Sequence, residues 1–533
     1  MLKIIAISAP QWVANRGKEI QKSLNSTDPF SLQNALRLAA WNAQKGIGRW
    51  KNSNWANRKD LKRSVKLMNY YEDEIHEFIE LLWNEKPNLL FIGAMTLSYP
   101  GAIGLAKIAK EILKNEVFIV LGGKHCNETF WYSNNEFYHH FGSPLKNIAI
   151  SNDYKQNVFD LVISGDGEDV IVQIGEIIDE LISDGRKLAE FYSLSDKLEQ
   201  AKGNWIAGWV DSSFYIHEIK GSEIPLDYDN MPTPAEVFGI TANFPVFEAD
   251  ITGHAYSDIS MGCVYDCFFC SERHGINGNL SKKHTAPQRL YKQFQMIKEV
   301  GTKENNAKVV SAFVEDSIIL SGNIHLLKEF NYLLTEKPLG IKWGCQFTID
   351  GFLQPEMIEV VKDLKKNGLV YILFGMETIN EDIARKMSKN THKEEEWKSR
   401  NELAMENMSR LGLKAGFCVL WGLGEFQYDR RKHLEILHEW QNEYGVPNVI
   451  SLNWAVKHPL RSVDAKYDYD YTKWGTPKDS ELLEIFIELF GEASSIYNIL
   501  NNYKPPLSEL KELKELYYSL INNRVEYKNK VRG

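Results

Sequence analysis

Three cysteines, Cys263, Cys267 and Cys270, fall within eight residues, Cys-Val-Tyr-Asp-Cys-Phe-Phe-Cys, and make up half of the chain's six. Thiolates this close together on one loop suit a soft metal centre, and three of them can each hold one iron of a cubic [4Fe-4S] cluster. A cluster held wholly by protein needs a fourth thiolate, and none lies nearby. The fourth iron is therefore left for a ligand that is not protein. A zinc site usually shows two ligand pairs at CxxC spacing, and no second pair follows this one. A disulfide framework does not suit 533 residues with six cysteines. A chance grouping of buried cysteines is the bland alternative, and the surrounding pattern of elements tests it.

The loop follows Tyr256–Gly262, a strand-like run ending in glycine, and Gln288–Val300 is the helix expected after it. Val309–Asp316 predicts a second strand ending in two carboxylates, Glu315 and Asp316. Lys342–Asp350 predicts a third, carrying Cys345, and Val370–Glu377 a fourth, ending Gly375-Met-Glu377. Leu413–Glu425 predicts a fifth, carrying Cys418 and ending Gly422-Leu-Gly424-Glu425, and Val449–Val456 a sixth. Six βα units over 251–460 predict a partial (β/α)6 barrel of TIM type, with chemistry at the C-terminal ends of its strands.

Upstream, residues 1–85 read as a mixed, mainly helical region dense in tryptophan (Trp12, Trp41, Trp50, Trp55 and Trp83). Within it, Met1–Pro10 opens as a strand, and the basic run Arg58–Lys66 reads as a solvated helix face. From Pro87 the pattern alternates. Strands at Leu89–Gly93, Val117–Gly123 and Phe159–Glu168 end in glycine-bearing loops before helices, which predicts a doubly wound, Rossmann or flavodoxin-like sheet domain over 86–220. A proline-marked linker covers 221–250, and 461–533 is a short helical C-terminal region with an amphipathic helix at Glu481–Ile499. The class is α/β.

A composition of 44% apolar and 25% charged residues is ordinary for a globular protein. A net charge of −9 argues against a nucleic-acid surface. No apolar run reaches the 18 or more residues of a membrane helix, and the opening run is too short for a signal peptide. Free cysteines and an oxygen-sensitive cluster point to a reducing cytoplasm.

The C-x3-C-x2-C spacing, with an aromatic residue, Phe269, before the third cysteine, resembles the radical S-adenosylmethionine (SAM) superfamily. The resemblance implies that the open iron chelates the amino and carboxylate groups of SAM, and that the reduced cluster cleaves SAM to a 5′-deoxyadenosyl radical. It also implies SAM contacts at Glu315 and Asp316 near the amino group, at Gly375 and Glu377 near the ribose or amino group, and at Gly422 and Gly424 near the adenine. Residues 85–185 resemble the cobalamin (B12)-binding domain that precedes many such barrels. The matching pieces are Gly93 with Thr96 and Ser98, then Gly122, Gly123 and His125, then Gly165, Gly167 and Glu168. The chain lacks the Asp-x-His-x-x-Gly stretch whose histidine ligates cobalt in several B12 enzymes, so cobalamin is expected base-off, without a protein imidazole.

This domain order resembles cobalamin-dependent radical SAM C-methyltransferases over about 370 residues. It implies a [4Fe-4S] cluster, SAM, cobalamin, a reductant such as flavodoxin or ferredoxin, and a peptide or small-molecule substrate. A radical enzyme without methyl transfer is the alternative: an epimerase, dehydratase or ring-forming enzyme in which Cys345 or Cys418 returns a hydrogen atom. An auxiliary cluster of the SPASM type is excluded, because no cysteine follows Cys418. An electron-transfer module would need four protein ligands.

Overall fold

Apolar runs without polar alternation belong to strands covered on both faces, and the computed structural model of the chain builds two sheets from them. It describes residues 2–11, 62–68, 71–151, 158–222, 242–257, 283–389, 396–456, 471–474, 481–490, 505–521 and 526–527. It also describes 263, 265 and 267–270 of the cysteine loop, with isolated positions between 224 and 240 and at 459. Trp12, Trp41, Trp50 and Trp55, and most of the proline-marked linker, lie outside the described residues.

The first sheet takes β1 (Lys3–Ser8), β2 (Lys62–Leu67), β3 (Leu89–Gly93) and β4 (Phe118–Gly122). A separate hairpin follows, β5 (Phe130–Ser133) and β6 (Glu136–His139), and then β7 (Leu161–Gly165), β8 (Trp205–Val210) and β9 (Ile216–Lys220) complete the sheet. Its seven strands lie in the order β2-β1-β3-β4-β7-β8-β9. The first five are parallel, and β8 and β9 are antiparallel. This is a flavodoxin-like winding, whose ligand crevice opens where the strand order reverses, here between β1 and β3. Ile4, Leu89 and Phe118 face one apolar layer with the Gly167–Ser183 helix, while Ile5, Leu90 and Ile119 face the other with the Tyr99–Leu113 helix.

The sheet is wider than the sequence suggested. β2 is the edge and β1 lies next to it, yet both come from the segment read above as a separate region. The basic run that looked like a helix face overlaps β2, Lys-Arg-Ser-Val-Lys-Leu. Basic side chains are a common guard on an edge strand, and here they masked the strand signal.

The second sheet comprises β10 (Ala242–Asn243), β11 (Ile251–Ala255), β12 (Val310–Val314), β13 (Lys342–Phe347), β14 (Leu369–Glu377), β15 (Lys414–Trp421), β16 (Val449–Trp454) and β17 (Glu526–Tyr527). Strands β11 to β16 are parallel neighbours in sequence order, a half-barrel, with β10 and β17 antiparallel beyond β11. The strand before the cysteines is Ile251–Ala255 rather than the Tyr256–Gly262 lead-in, of which 258–262 lie outside the described residues.

Alternation along each strand sorts the side chains. Val310, Ala312, Trp343, Phe347, Phe374, Phe417 and Val419 pack outward in a large apolar cluster with the helices. Thr252 and Ser311 face inward and share a 2.9 Å hydrogen bond. Phe244, Phe247, Phe313 and Tyr371 fill the N-terminal end of the barrel. Lys342 and Lys414 start their strands there and donate to the backbone oxygens of Glu248 and Val246. Chemistry is thus confined to the opposite end.

Candidate active site

The cysteine turn lies past the C-terminal end of β11, at the open end of the half-barrel. Cys267 is buried and Cys263 and Cys270 are half-buried. The Cys270 amide donates to the Cys267 carbonyl at 3.0 Å, a turn with Phe268 and Phe269 at its tip. No three His, Cys, Asp or Glu side chains among the described residues converge on a single metal ion. In a [4Fe-4S] cluster each thiolate takes its own iron, so the cysteines need not converge on one point.

Beside this turn stands an ion pair that the sequence reading half missed. Glu377 closes β14 with φ of +65°, a left-handed conformation costing a non-glycine residue roughly 1–3 kcal/mol. The Thr378 amide and the Trp397 indole both donate to the Met376 carbonyl, at 2.8 and 3.1 Å, and fix this bend. The bend points the carboxylate at Lys389, 3.2 Å away. Lys389 also donates to the Gly375 carbonyl at 3.3 Å and stands 5.8 Å from the Phe269 ring centroid. A Cβ at Gly375 would lie 2.8 Å from both Glu377 Oε1 and Lys389 Nζ, so glycine here makes room for the pair. Burial alone would lower the Lys389 pKa, but Glu377 and the sulfurs of Cys267 and Cys270 outweigh it and hold the ammonium above the usual lysine value.

The two cysteines proposed as hydrogen donors part company. Cys418 lies between the outward Phe417 and Val419, pairs in register with Gly375, and faces the interior. Burial and then Glu377 push its thiol up to about 12, with Lys389 working the other way, so it stays protonated. Cys345 instead lies outward with Trp343 and Phe347 in the cluster against the helices. Its expected catalytic role is corrected accordingly, since strand phase turns it away from the cavity.

Neighbouring strand residues point to opposite faces, and Glu315 and Asp316 divide the same way. Glu315 faces the interior and accepts from His254 Nδ1 at 2.5 Å. Asp316 is 4% exposed and accepts from the backbone amides of Ser257 and Leu320, at 2.9 and 3.2 Å. Burial pushes it up to about 6 against those bonds. It braces two loops and has no face toward a ligand, which corrects the expected SAM contact.

Past β15, the Glu425 carboxylate accepts from the amides of Gly422 and Leu423 at 2.6 and 2.9 Å, holding the loop in a tight curl. Arg430 clamps Glu425 at 2.8 Å and reaches Glu509 of the Leu507–Ser519 helix at 2.6 Å. Gly424 has φ of +108° and open space where a Cβ would be, so the loop presents bare backbone at the barrel mouth.

In the sheet domain, Gly93, Gly122, Gly165 and Gly167 line the C-terminal strand ends and are half-buried. The polar candidates are already used within the protein. His125 is fully buried, with its ring nitrogens 3.2 Å from Thr96 Oγ1 and 3.1 Å from the Gly142 carbonyl. Thr96 donates to Glu128, and Ser98 bonds the backbone of Met95. Gly123, with φ of +101°, is required by the Ala94 backbone, which a Cβ would approach to 2.6 Å. Glu168 sits in the first turn of the Gly167–Ser183 helix. His125, Thr96 and Ser98 therefore shape the loop rather than face a ligand, a correction to the expected contacts. The crevice between β1 and β3 is covered from the far end of the chain. Tyr471 is buried against His125 and His140, and Trp474 donates to the Leu97 carbonyl at 3.0 Å.

The radical SAM superfamily model matches residues 258–434, the span that carries the cysteine turn, the Glu377–Lys389 pair and the Gly422–Glu425 loop. Those residues are a radical SAM domain. Two solved structures share the two-part fold: the cobalamin-dependent S-adenosylmethionine radical enzyme OxsB with aqua-cobalamin bound, and OxsB with aqua-cobalamin and S-adenosylmethionine bound. Each has a TM-score of 0.50 and 14% identity over 82% of this chain. The chain spans 52% of the length of each OxsB structure, and at this identity the likeness establishes the fold. No curated protein matches the chain. No helix among the described residues is long and apolar enough to cross a membrane.

Around the barrel mouth the sequence reading missed Lys389, His254 and Arg430. Lys389 lies twelve residues past Glu377 with no pattern to mark it. His254 sits in a strand placed too late, though the alternation of Thr252 and His254 with apolar neighbours was a usable signal.

Two buried histidines make the protein acid-sensitive. Burial lowers His125 in the sheet domain and His433 in the radical SAM domain to about 3 each. Above pH 6.5 both are neutral whether folded or unfolded. As pH falls below that value the unfolded chain takes up protons that the folded chain refuses, and each histidine removes about 1.4 kcal/mol of stability per pH unit down to about pH 3. Asp316, raised to about 6 by burial, acts oppositely below that value, as do Asp160 and Glu176, while His140, lowered by burial, adds to the loss. Urea midpoints should therefore fall from pH 7 to pH 5, and a flat profile would contradict this burial.

Proposed function

We propose that the protein is a cobalamin-dependent radical SAM enzyme that methylates an unactivated carbon of a peptide or natural-product intermediate. The observation carrying the class is the cysteine turn, with Cys267 and Cys270 close enough to act on Lys389 of the Glu377–Lys389 pair, at the mouth of a half-barrel. The thiols suit a [4Fe-4S] cluster: none is tied in a disulfide, and a cation stands beside them. Glu315 and Glu377 face the interior as carboxylates for the SAM amino group, and the bare Gly424 backbone leaves space for a flat ring. A corrin fits the strand ends of the sheet domain, because a Cβ at Gly93, Gly122 or Gly167 would meet no atom closer than 3.9 Å. It would receive no imidazole from His125, whose two nitrogens are engaged.

When bound, the cluster with SAM supplies a 5′-deoxyadenosyl radical and cobalamin supplies a methyl carrier. The chain's own part is to hold the substrate carbon near these groups and keep water away. Phe244, Phe247 and Tyr371 seal the closed end of the barrel, while His254, Glu315, Gln346 and Cys418 give the open end a polar wall. The likeness to OxsB across both parts of the chain supports the cobalamin-dependent class. A one-electron reductant such as flavodoxin or ferredoxin, and a cytoplasmic location, belong to the same proposal.

One observation favours a second reading. Cys418 faces the interior as a protonated thiol beside Glu377, suited to returning a hydrogen atom to a carbon radical without methyl transfer. Anaerobic purification from cells supplied with cobalamin tests both readings. Iron, sulfide and corrinoid are measured together with the ultraviolet-visible spectrum. About four irons and one base-off corrinoid per chain is the expected result. Iron without corrinoid favours the Cys418 reading, and neither overturns both.

A further inference from the structure

Lys389 brings a poorly solvated positive charge to the cysteine turn. Its ammonium stands 5.8 Å from the ring of Phe269, the residue between Phe268 and Cys270. Its side chain is 16% exposed, so solvent screens it little. Glu377 at 3.2 Å and the Gly375 carbonyl at 3.3 Å hold it in place, and the missing side chain of Gly375 leaves the space it occupies. A flexible lysine held on three sides next to a metal-binding turn is a fixed charge rather than a surface group.

The reduction potential of an iron-sulfur cluster follows its net charge, the hydrogen bonds to its sulfurs and its exposure to solvent. A [4Fe-4S] core on three thiolates is already anionic, and reduction brings one more negative charge from a low-potential one-electron donor. A nearby cation in a setting of low polarity favours the reduced form, and a nearby anion favours the oxidised form. We propose that Lys389 sets the reduction potential of the cluster, raising it toward the reach of the donor, and that Glu377 both positions the ammonium and offsets part of its charge. Lys389 keeps its proton throughout, and no bond to it forms or breaks. This inference rests on the [4Fe-4S] reading of Cys263, Cys267 and Cys270.

The test is an anaerobic potentiometric titration of the reconstituted full chain without SAM, following the electron paramagnetic resonance signal of the reduced cluster. Wild type, Lys389→Met, Lys389→Arg and Glu377→Gln are compared at measured iron content. Lys389→Met should shift the midpoint to more negative potential, Lys389→Arg should stay near wild type, and Glu377→Gln should shift it to more positive potential. A Lys389→Met midpoint equal to wild type, with iron retained, overturns the inference. If Lys389→Met fails to hold iron, Glu377→Gln decides: a positive shift supports the inference and no shift overturns it. Wild-type protein that takes up no [4Fe-4S] cluster overturns the functional reading beneath it, a failure separate from an unmoved midpoint.

Discussion

Cys267→Ala protein, reconstituted anaerobically with iron and sulfide, is expected to lose its cluster and with it all cleavage of SAM to 5′-deoxyadenosine. Losing even an outer-shell partner weakens metal binding about 10- to 100-fold, and this substitution removes a ligand outright. Cys263→Ala and Cys270→Ala should behave alike, because the sequence holds no fourth cysteine near these three. Cys126→Ala and Cys345→Ala are the matched controls. Both thiols lie in apolar clusters away from the turn, so iron content should stay at the wild-type level. A Cys263→Ala protein that still makes 5′-deoxyadenosine would end the radical SAM assignment of this loop.

Arg430→Met should be the most destabilising single change at the barrel mouth. The guanidinium is shared by Glu425 and Glu509, whose side chains are 3% and 4% exposed. Removing it leaves two buried carboxylates without a counter-charge, and breaking such an arrangement from one side costs about 3–5 kcal/mol. Adding Glu509→Leu should recover part of the loss, since an apolar side chain restores packing without a charge to neutralise. Urea denaturation of the single and double variants measures both effects, and a single-variant loss under about 1 kcal/mol would place the triad with ordinary surface pairs. Because Glu425 also curls the Gly422–Gly424 loop, the same variant should raise the KM for SAM more than it lowers kcat.

The order of strands and the cysteine turn were legible in the sequence for physical reasons. Strands buried on both faces write themselves as apolar runs, and thiolates on a short loop have few other uses. The same continuity hides the strand phase. Cys418 sits in an unbroken apolar stretch, so no polar alternation marks which side it faces and only the register with Gly375 decides. Cys345, by contrast, shares the phase of Trp343, Phe347 and Ile349 in alternation with Gln346 and Thr348, a signal for the outward face that was present in the sequence. For Glu315 and Asp316 the sequence did contain the clue that just one of two adjacent residues can face inward, but not which one. Lys389 was invisible because its place depends on a chain reversal after β14 and on space left by Gly375. In β2 the edge position gave the strand the composition of a surface helix.

The cover over the β1–β3 crevice bears on how the protein comes into being. Trp474 reaches the Leu97 carbonyl across 377 residues of chain. At a synthesis rate of roughly 5–20 residues per second, Leu97 leaves the ribosome about 20–75 s before its partner. The half-barrel is made entirely within that interval. A first domain that folds as it emerges therefore lacks this cover, and the Tyr471 neighbour of His125, until the half-barrel strands have been translated. Its last aromatic side chain arrives from beyond the half-barrel in the sequence.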